Sequence, residues 1–369
     1  MFKLIGRNFD WVIPAVAILL IVISLATLYT ITYVSVGTSI AINQLTYFGI
    51  GVGLFMLFVI VDYRRLYPIA IISFIIGILL AVPLLPYFSS HLPFVICEFA
   101  SCRWIDLGFF RFQTSEVTKL VGILFLARVL SDISQIRWWH ATGLLATIVV
   151  AAFLISQQPD LGSAIVIFAS GLVMLAVSRL PWMFWVVCLL IGLLALPFGL
   201  HQLKPYQKKR IEIFLHPELD PTKTGYNVRQ AEIAVGSGGL FGQGFGRGSQ
   251  SQLNFLPVAH TDFIFAGYAE ATGFVGSIFL LLLYTVLLAR ILAIAQKSQD
   301  PFGRLVAIGI AAQLGIQIII NIGMNIRLLP VTGVPLPLVS FGGTSVFITL
   351  IALGILESIA IRQQTYRFD

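Results

Sequence analysis

Ten stretches of this chain are so long, so apolar and so poor in charge that each reads as a membrane-spanning helix. They cover about residues 11–34, 44–61, 68–86, 116–131, 141–156, 161–178, 181–200, 262–289, 302–324 and 343–361. A run of roughly 18 or more apolar residues crosses the hydrocarbon layer as an α-helix. Of 369 residues, 58% are hydrophobic and only 11% charged, against the roughly 25% charged of a soluble domain. The chain therefore reads as an all-α polytopic membrane protein of about ten spans, a single integral domain over 1–369. The first run is too long, and lacks the small-residue exit, for a cleaved signal peptide, so it is expected to stay as an anchor. Two segments interrupt the pattern: an outer loop at 87–115 and a large outer loop at 201–261, between the seventh and eighth runs.

Lys and Arg in short loops set orientation. An even number of spans puts both termini on one side. With the termini cytoplasmic, Arg64, Arg65, Arg128, Arg137, Arg290, Lys297, Arg304 and Arg362 fall inside. Apart from Arg327, the outer cations concentrate in two places. Arg103, Arg111 and Lys119 belong to the first outer loop and the helix after it. Lys204, Lys208, Lys209, Arg210, Lys223, Arg229 and Arg247 belong to the large one. Long loops cross regardless of charge, but a basic basin on the outer face also suits an anionic partner. No basic helix or aromatic base platform points to nucleic acid. Cys97 and Cys102 flank EFAS, where both a closed disulfide and two free thiols fit the sequence.

A carboxylate at a membrane boundary is costly and usually has a task. Asp262 opens the eighth run, followed at steps of four and three by Ala266, Ala269, Gly273 and Gly276. On one helix these form a small-residue face that would turn Asp262 inward. Glu270, deeper on the same side, reads as an interior ion-pair partner. Ser115 is expected to cap the helix that Glu116 opens, with Lys119 in pairing distance at i,i+3. Pro159 ends the fifth run and Asp160 caps the sixth, where a second carboxylate near Asp262 would share a proton or hold a divalent ion. Pro335 and Pro337 forbid regular helix before Ser340, Gly342 and Gly343, a glycine-rich helix start that suits phosphate. Gln313, Gln317, Asn321 and Asn325, at steps of four, form a polar stripe for interhelical bonds or a cavity wall. The glycines of 236–248 lack the spacing of a nucleotide-binding loop.

Taken together, WIDLG and RFQTSEVTK, QQPDLGSA, DPTKTGYN, IAVGSGGLFGQGFGRGSQSQLNFLP, HTDFIFAGYAE and GVPLPLVSFGGTS resemble the SEDS family of bacterial wall-building proteins (shape, elongation, division, sporulation). The short tails are similar to those of its elongation members. Thr114, Val258, Ala259, Ala271 and Phe341 depart from the family pattern without removing a core polar group.

The resemblance implies a peptidoglycan glycosyltransferase of the bacterial inner membrane. Its substrate would be lipid II, a disaccharide-peptide on undecaprenyl pyrophosphate. It implies Asp262 as the catalytic residue, with Glu116, Lys119, Asp160 and Arg111 as supporting polar residues beside Trp104. A class B penicillin-binding protein, the cross-linking transpeptidase, and other elongation-complex membrane proteins are the implied partners. The chemistry fits: a base takes the acceptor hydroxyl proton, while pyrophosphate leaves without protonation once its charge is neutralised. Arg210, Arg247, Gln250, Ser340, Gly342 and Gly343 are the expected pyrophosphate or substrate contacts. One aspartate with side-chain cations, or with a divalent cation (Mg or Mn), would suffice for that neutralisation. A lipid II flippase and a non-catalytic scaffold of the wall-synthesis complex are the alternative functions.

Overall fold

The computed structural model describes residues 8–363, apart from 90–91, 93–94, 99–100, 107, 109–110, 134–136, 179, 203–204, 217–219, 221–223, 254 and 257. Lys204 and Lys223 of the expected basic basin lie outside the described residues.

Each of the ten apolar runs falls on a helix. They are α1 (Val12–Val36), α2 (Ser39–Ile60), α3 (Leu66–Ala81), α4 (Thr114–Asp132), α5 (Trp138–Gln157), α6 (Leu161–Val177) and α7 (Trp182–Gln202). The large loop then contributes α8 (Pro205–Leu215), α9 (Thr224–Ser237) and the short α10 (Ser249–Gln252). The bundle closes with α11 (Ile264–Lys297), α12 (Pro301–Asn325) and α13 (Gly343–Arg362). Among the described residues seven helices are long and apolar enough to cross a membrane: α1, α2, α3 with its flanking turns, α5, α11, α12 and α13. α6 and the described apolar part of α7 are shorter, and α4 carries Glu116, Lys119, Arg128 and Asp132. The chain is thus a multi-pass membrane protein.

Burial separates hub from rim. In α12 and α13, 72% and 83% of the apolar window is buried inside the protein, against 22–39% in the other five. A helix apolar all round must be covered by its neighbours. Glycines permit the closest approaches. A Cβ at Gly354 of α13 would lie 2.6 Å from the Phe55 carbonyl of α2, and one at Gly51 would strike Leu350. Small residues let helices meet at this separation without a hydrophobic drive between them.

The first outer loop folds into a sheet that the apolar pattern does not announce. Strands β1 (Val95–Glu98), β2 (Ser101–Asp106) and β3 (Arg111–Gln113) pair antiparallel in that order. Cys97 opposes Cys102 across β1 and β2, and the two form a disulfide. β3 runs directly into α4. Thr344, in the first turn of α13, accepts the Gln113 N–H at 3.1 Å and donates to the Arg111 carbonyl at 3.0 Å. The sheet is therefore stitched to the hub.

The small-residue face expected on the eighth run does not survive. α11 begins at Ile264, so Asp262 lies in the turn before it, and Gly273 (φ 68°, ψ −161°) breaks the helix. A break orphans the last carbonyls of one half and the first N–H groups of the next. The glycine-rich turn meets both needs. Gln243 and Gly244 donate to the Glu270 and Ala271 carbonyls at 2.9 and 3.0 Å. Phe274 and Val275 donate to the Gly239 and Leu240 carbonyls at 2.9 and 3.0 Å. A Cβ at Gly273 would lie 2.7 Å from the Leu240 carbonyl carbon and oxygen, and the left-handed φ also favours glycine. These glycines serve backbone docking.

Candidate active site

The turn carrying Asp262 is fixed from behind by the polar stripe of α12. Asn321 and Asn325 each donate to the Asp262 backbone carbonyl at 3.1 Å. Asn321 also donates to the Val334 carbonyl at 2.8 Å, and Asn325 accepts the Ala266 N–H at 3.1 Å. The lower half of the expected stripe is thus an interhelical fastener. It pins the turn, the start of α11 and the irregular segment before α13 to one another. Ser340 joins the same fastening: its hydroxyl donates to the Thr261 carbonyl at 2.6 Å and accepts the Leu336 N–H at 2.9 Å. The backbone around the turn is strained as well as held. Val258 and Leu338 adopt φ of 56° and 61°, a region that non-glycine residues, and β-branched ones above all, rarely enter.

With its main chain occupied, Asp262 projects a half-buried carboxylate toward two guanidinium groups and a gap. The gap is Gly333, where a Cβ would stand 3.4 Å from Asp262 Oδ2 and 3.7 Å from Arg103 Nη1. Arg103, in β2, is anchored by its Nη2 on the Pro159 carbonyl. Arg210, in α8, donates from Nη1 to the Thr332 carbonyl at 3.3 Å. Burial pushes the Asp262 pKa above its ordinary value; Arg103 and Arg210 oppose that shift, and Asp160 adds to it. His260, in the same turn, is held by burial below its usual value and is neutral at pH 7.

Asp160 is the opposite case. Burial alone would raise its pKa, but Arg103 and hydrogen bonds from Ser163 and Ser115 outweigh it, and the carboxyl titrates below its ordinary range. Its Oδ1 accepts the Ser163 N–H at 3.1 Å, as the N-cap of α6. Its Oδ2 accepts Ser115 Oγ at 2.9 Å and Gln113 Nε2 at 3.3 Å. Ser115 therefore does not cap α4 as expected. The helix begins two residues earlier than expected, at Thr114, and Ser115 spends its hydroxyl on Asp160.

Glu116 and Lys119 do pair, at 2.7 Å and almost fully buried. Lys119 also borders a cavity of about 20 Å³ among α3, α4, α5 and α6, room for about one water. Glu270 is not an ion-pair partner: its carboxylate accepts the Gln250 and Ser251 N–H groups at 2.8 and 3.0 Å and so caps α10. That uses the Gln250 backbone, while its buried side-chain carbonyl finds no partner among the described residues. Arg247 is exposed on the glycine-rich turn, and Arg111 is exposed on β3, opposite Asp106. At the start of α13 the Gly342 N–H donates to Gln44 Oε1 at 3.3 Å, and Gly343 packs on the Tyr47 ring. Among the described residues no group of three or more His, Cys, Asp or Glu side chains converges as a metal cage. Arg103 is the site residue that sequence reasoning passed over. The Cys-x4-Cys spacing just before it, a hairpin signal, was the available clue.

A bundle of apolar helices with a carboxylate and arginines gathered at one polar end defines a multi-pass membrane protein with a candidate polar site. The particular family follows from comparison. The profile of the FtsW, RodA and SpoVE family, described as cell cycle proteins, matches residues 8–365, and the chain belongs to that family. It is 43% identical over 262 residues to peptidoglycan glycosyltransferase MrdB of Escherichia coli (strain K12), covering 70% of each chain. It is 41% identical over 263 residues to stage V sporulation protein E of Bacillus subtilis (strain 168), covering 70% of this chain and 71% of that one. Among solved structures, it is similar to a chain of a peptidoglycan synthase complex that coordinates polymerization and crosslinking. There the TM-score is 0.83 and the identity 29%, with 97% and 99% of the two chains covered. The rod shape determining protein RodA of Thermus thermophilus matches with a TM-score of 0.72 and 28% identity over the same shares.

Proposed function

We propose that the chain is a peptidoglycan glycosyltransferase that polymerises glycan strands from lipid II in cell elongation, with Asp262 as general base. The carrying observation is the pair of unlike carboxylates. Asp160 is held ionised by four partners, whereas burial raises the Asp262 pKa above its ordinary value. Environments that push two carboxyl groups apart mark acid–base roles, and a base works best with a pKa near the operating pH. Asp262 accepts the proton of the acceptor sugar hydroxyl as that oxygen attacks the donor anomeric carbon. The bond to undecaprenyl pyrophosphate breaks on the opposite face, so the linkage inverts. Pyrophosphate leaves as an anion and needs charge neutralisation, which Arg210 supplies. A second carboxyl acting as acid, required where a sugar alkoxide leaves, has no task here.

The site end faces outward, both termini lie in the cytoplasm of a bacterial cell, and the apolar runs cross the inner membrane about ten times. The partner is a class B penicillin-binding transpeptidase, a reading supported by the complex to which the fold is similar. The test is direct. Purified chain given lipid II yields glycan polymer, and Asp262→Ala lowers the rate by roughly 10²–10⁴-fold, the usual worth of a general base. Undiminished polymer from that variant sinks the assignment. Running both with and without divalent cation shows whether the arginines alone suffice.

A further inference from the structure

Arg103 touches both halves of the site, yet neither its position on an outer strand nor its charge marks it out in the sequence. Its Nη2 is bonded to the carbonyl of Pro159, the residue before Asp160. Its Nη1 faces the Gly333 gap from one side while Asp262 Oδ2 faces it from the other. It is the charged side chain whose field acts on Asp160 and Asp262 alike. Its backbone is set by β2, one residue past the Cys97–Cys102 disulfide, with Trp104 paired to Gln113 on the far side.

A structural brace would have its donors satisfied. Arg103 does not: its Nε is buried without a hydrogen-bond partner among the described residues. An orphaned donor on a charged group is expensive and rare in native proteins, and calls for a reason. The cost is explained if the guanidinium is held for its charge at the Gly333 gap rather than for its hydrogen bonds.

We propose that Arg103 is a positioning residue that bridges Asp160 and Asp262 and keeps Asp262 in its proton-accepting form. This rests on the reading of Asp262 as general base. Two carboxylates facing one another cannot both ionise cheaply; a cation between them makes it affordable. Asp160 acts as the fixed arm of the bridge and Asp262 as the working arm. The charged groups facing Asp262 are Arg103 from β2, Arg210 from α8 and Asp160 from the turn before α6. The α12 side presents the neutral Asn321 and Asn325, and His260 beside it is uncharged. Removing Arg103 leaves Asp160 to repel a negative Asp262, with Arg210 alone in opposition.

The experiment is the pH–rate profile of lipid II polymerisation by the full chain, with folding checked by size-exclusion chromatography and thermal unfolding. Arg103→Gln moves the acid limb to higher pH, so that the rate on the acid side drops by about tenfold for each unit of displacement. Arg103→Lys keeps the charge and the position of the limb but lowers the plateau, because one ammonium cannot hold Pro159 and face the gap together. Arg103→Gln combined with Asp160→Asn brings the limb back toward lower pH, since the repelling charge is gone. A brace with no electrostatic role predicts no such return. The proposal is overturned by a folded Arg103→Gln with an unmoved limb while Asp262→Asn is inactive. Full activity in Asp262→Asn overturns it differently, by removing the base on which it rests.

Discussion

Two carboxylates close together in the sequence, Asp262 and Glu270, meet opposite fates. Glu270 lies inside the first half of α11, where both oxygens are taken by backbone N–H groups of α10. A Cβ at Gly248 would lie within 2.6 Å of it, so the glycine-rich turn is moulded around the side chain. Asp262 has its backbone fastened by Asn321, Asn325 and the neighbouring turn, while its carboxyl faces guanidinium groups across a gap. One acid has both oxygens consumed by the fold, and the other is the proposed base. A polar group at a membrane boundary is thus better classified by who occupies its lone pairs than by its depth.

The largest effect should come from Asp262. Asp262→Asn is expected to cut polymerisation by about 10²–10⁴-fold with little change in unfolding temperature. Equal activity would erase the contrast. Next comes the break that Glu270 borders. Gly273→Ala forces a left-handed methyl against the backbone of Leu240 and Gly242, and should cost at least about 3 kcal/mol of stability. Thermal unfolding in detergent reads it. Glu270→Gln should lower stability by about 1–3 kcal/mol, because its amide donor faces an N–H donor, and should reduce activity only as far as the fold loosens. A folded Glu270→Gln without activity would move that residue into the chemistry.

Acidification sharpens the comparison further. The Asp262 pKa lies above its ordinary 3.8, so its proton returns, and the base is lost, at a pH where a free aspartate is still ionised. The Asp160 pKa is depressed, so its stabilising contribution is present above the unfolded value and is lost only as pH falls through the lower folded value. Activity should therefore disappear before the fold does, a sequence that parallel rate and circular-dichroism titrations detect. The smallest effect is expected from Cys97→Ser with Cys102→Ser. The bridge closes a short loop, five residues apart in sequence, and its loss should cost about 2 kcal/mol, confined to the hairpin. Hydrogen exchange at Arg103 and Trp104 would register it.

The helices were legible because lipid allows little else: continuous apolar runs have one solution. Asp262 was legible because charge is costly where it stands, and the Glu116–Lys119 pair because i,i+3 spacing is local. What escaped is what depends on partners remote in sequence. Glu270 looked like half of an ion pair, since nothing near it reveals that α10 will bring N–H groups to its oxygens. Gly273 looked like one more small residue on a face, because the loop that stabilises its break lies some thirty residues earlier. Ser340 and Gly342 looked like open donors for phosphate, and their local sequence cannot show that Thr261 and Gln44 already claim them. Arg103 read as one cation among many until the hairpin carried it over Pro159.

The disulfide at the tip of that hairpin also offers a test of orientation. Reducing cytoplasm keeps thiols open, and oxidised pairs persist in export compartments. Cys97 and Cys102 share one end of the bundle with Asp262, while Cys188 stays a free thiol inside α7. Alkylation of intact cells, with and without prior reduction, therefore reads which way the molecule points. One sulfur bond serves as a compass for the whole bundle.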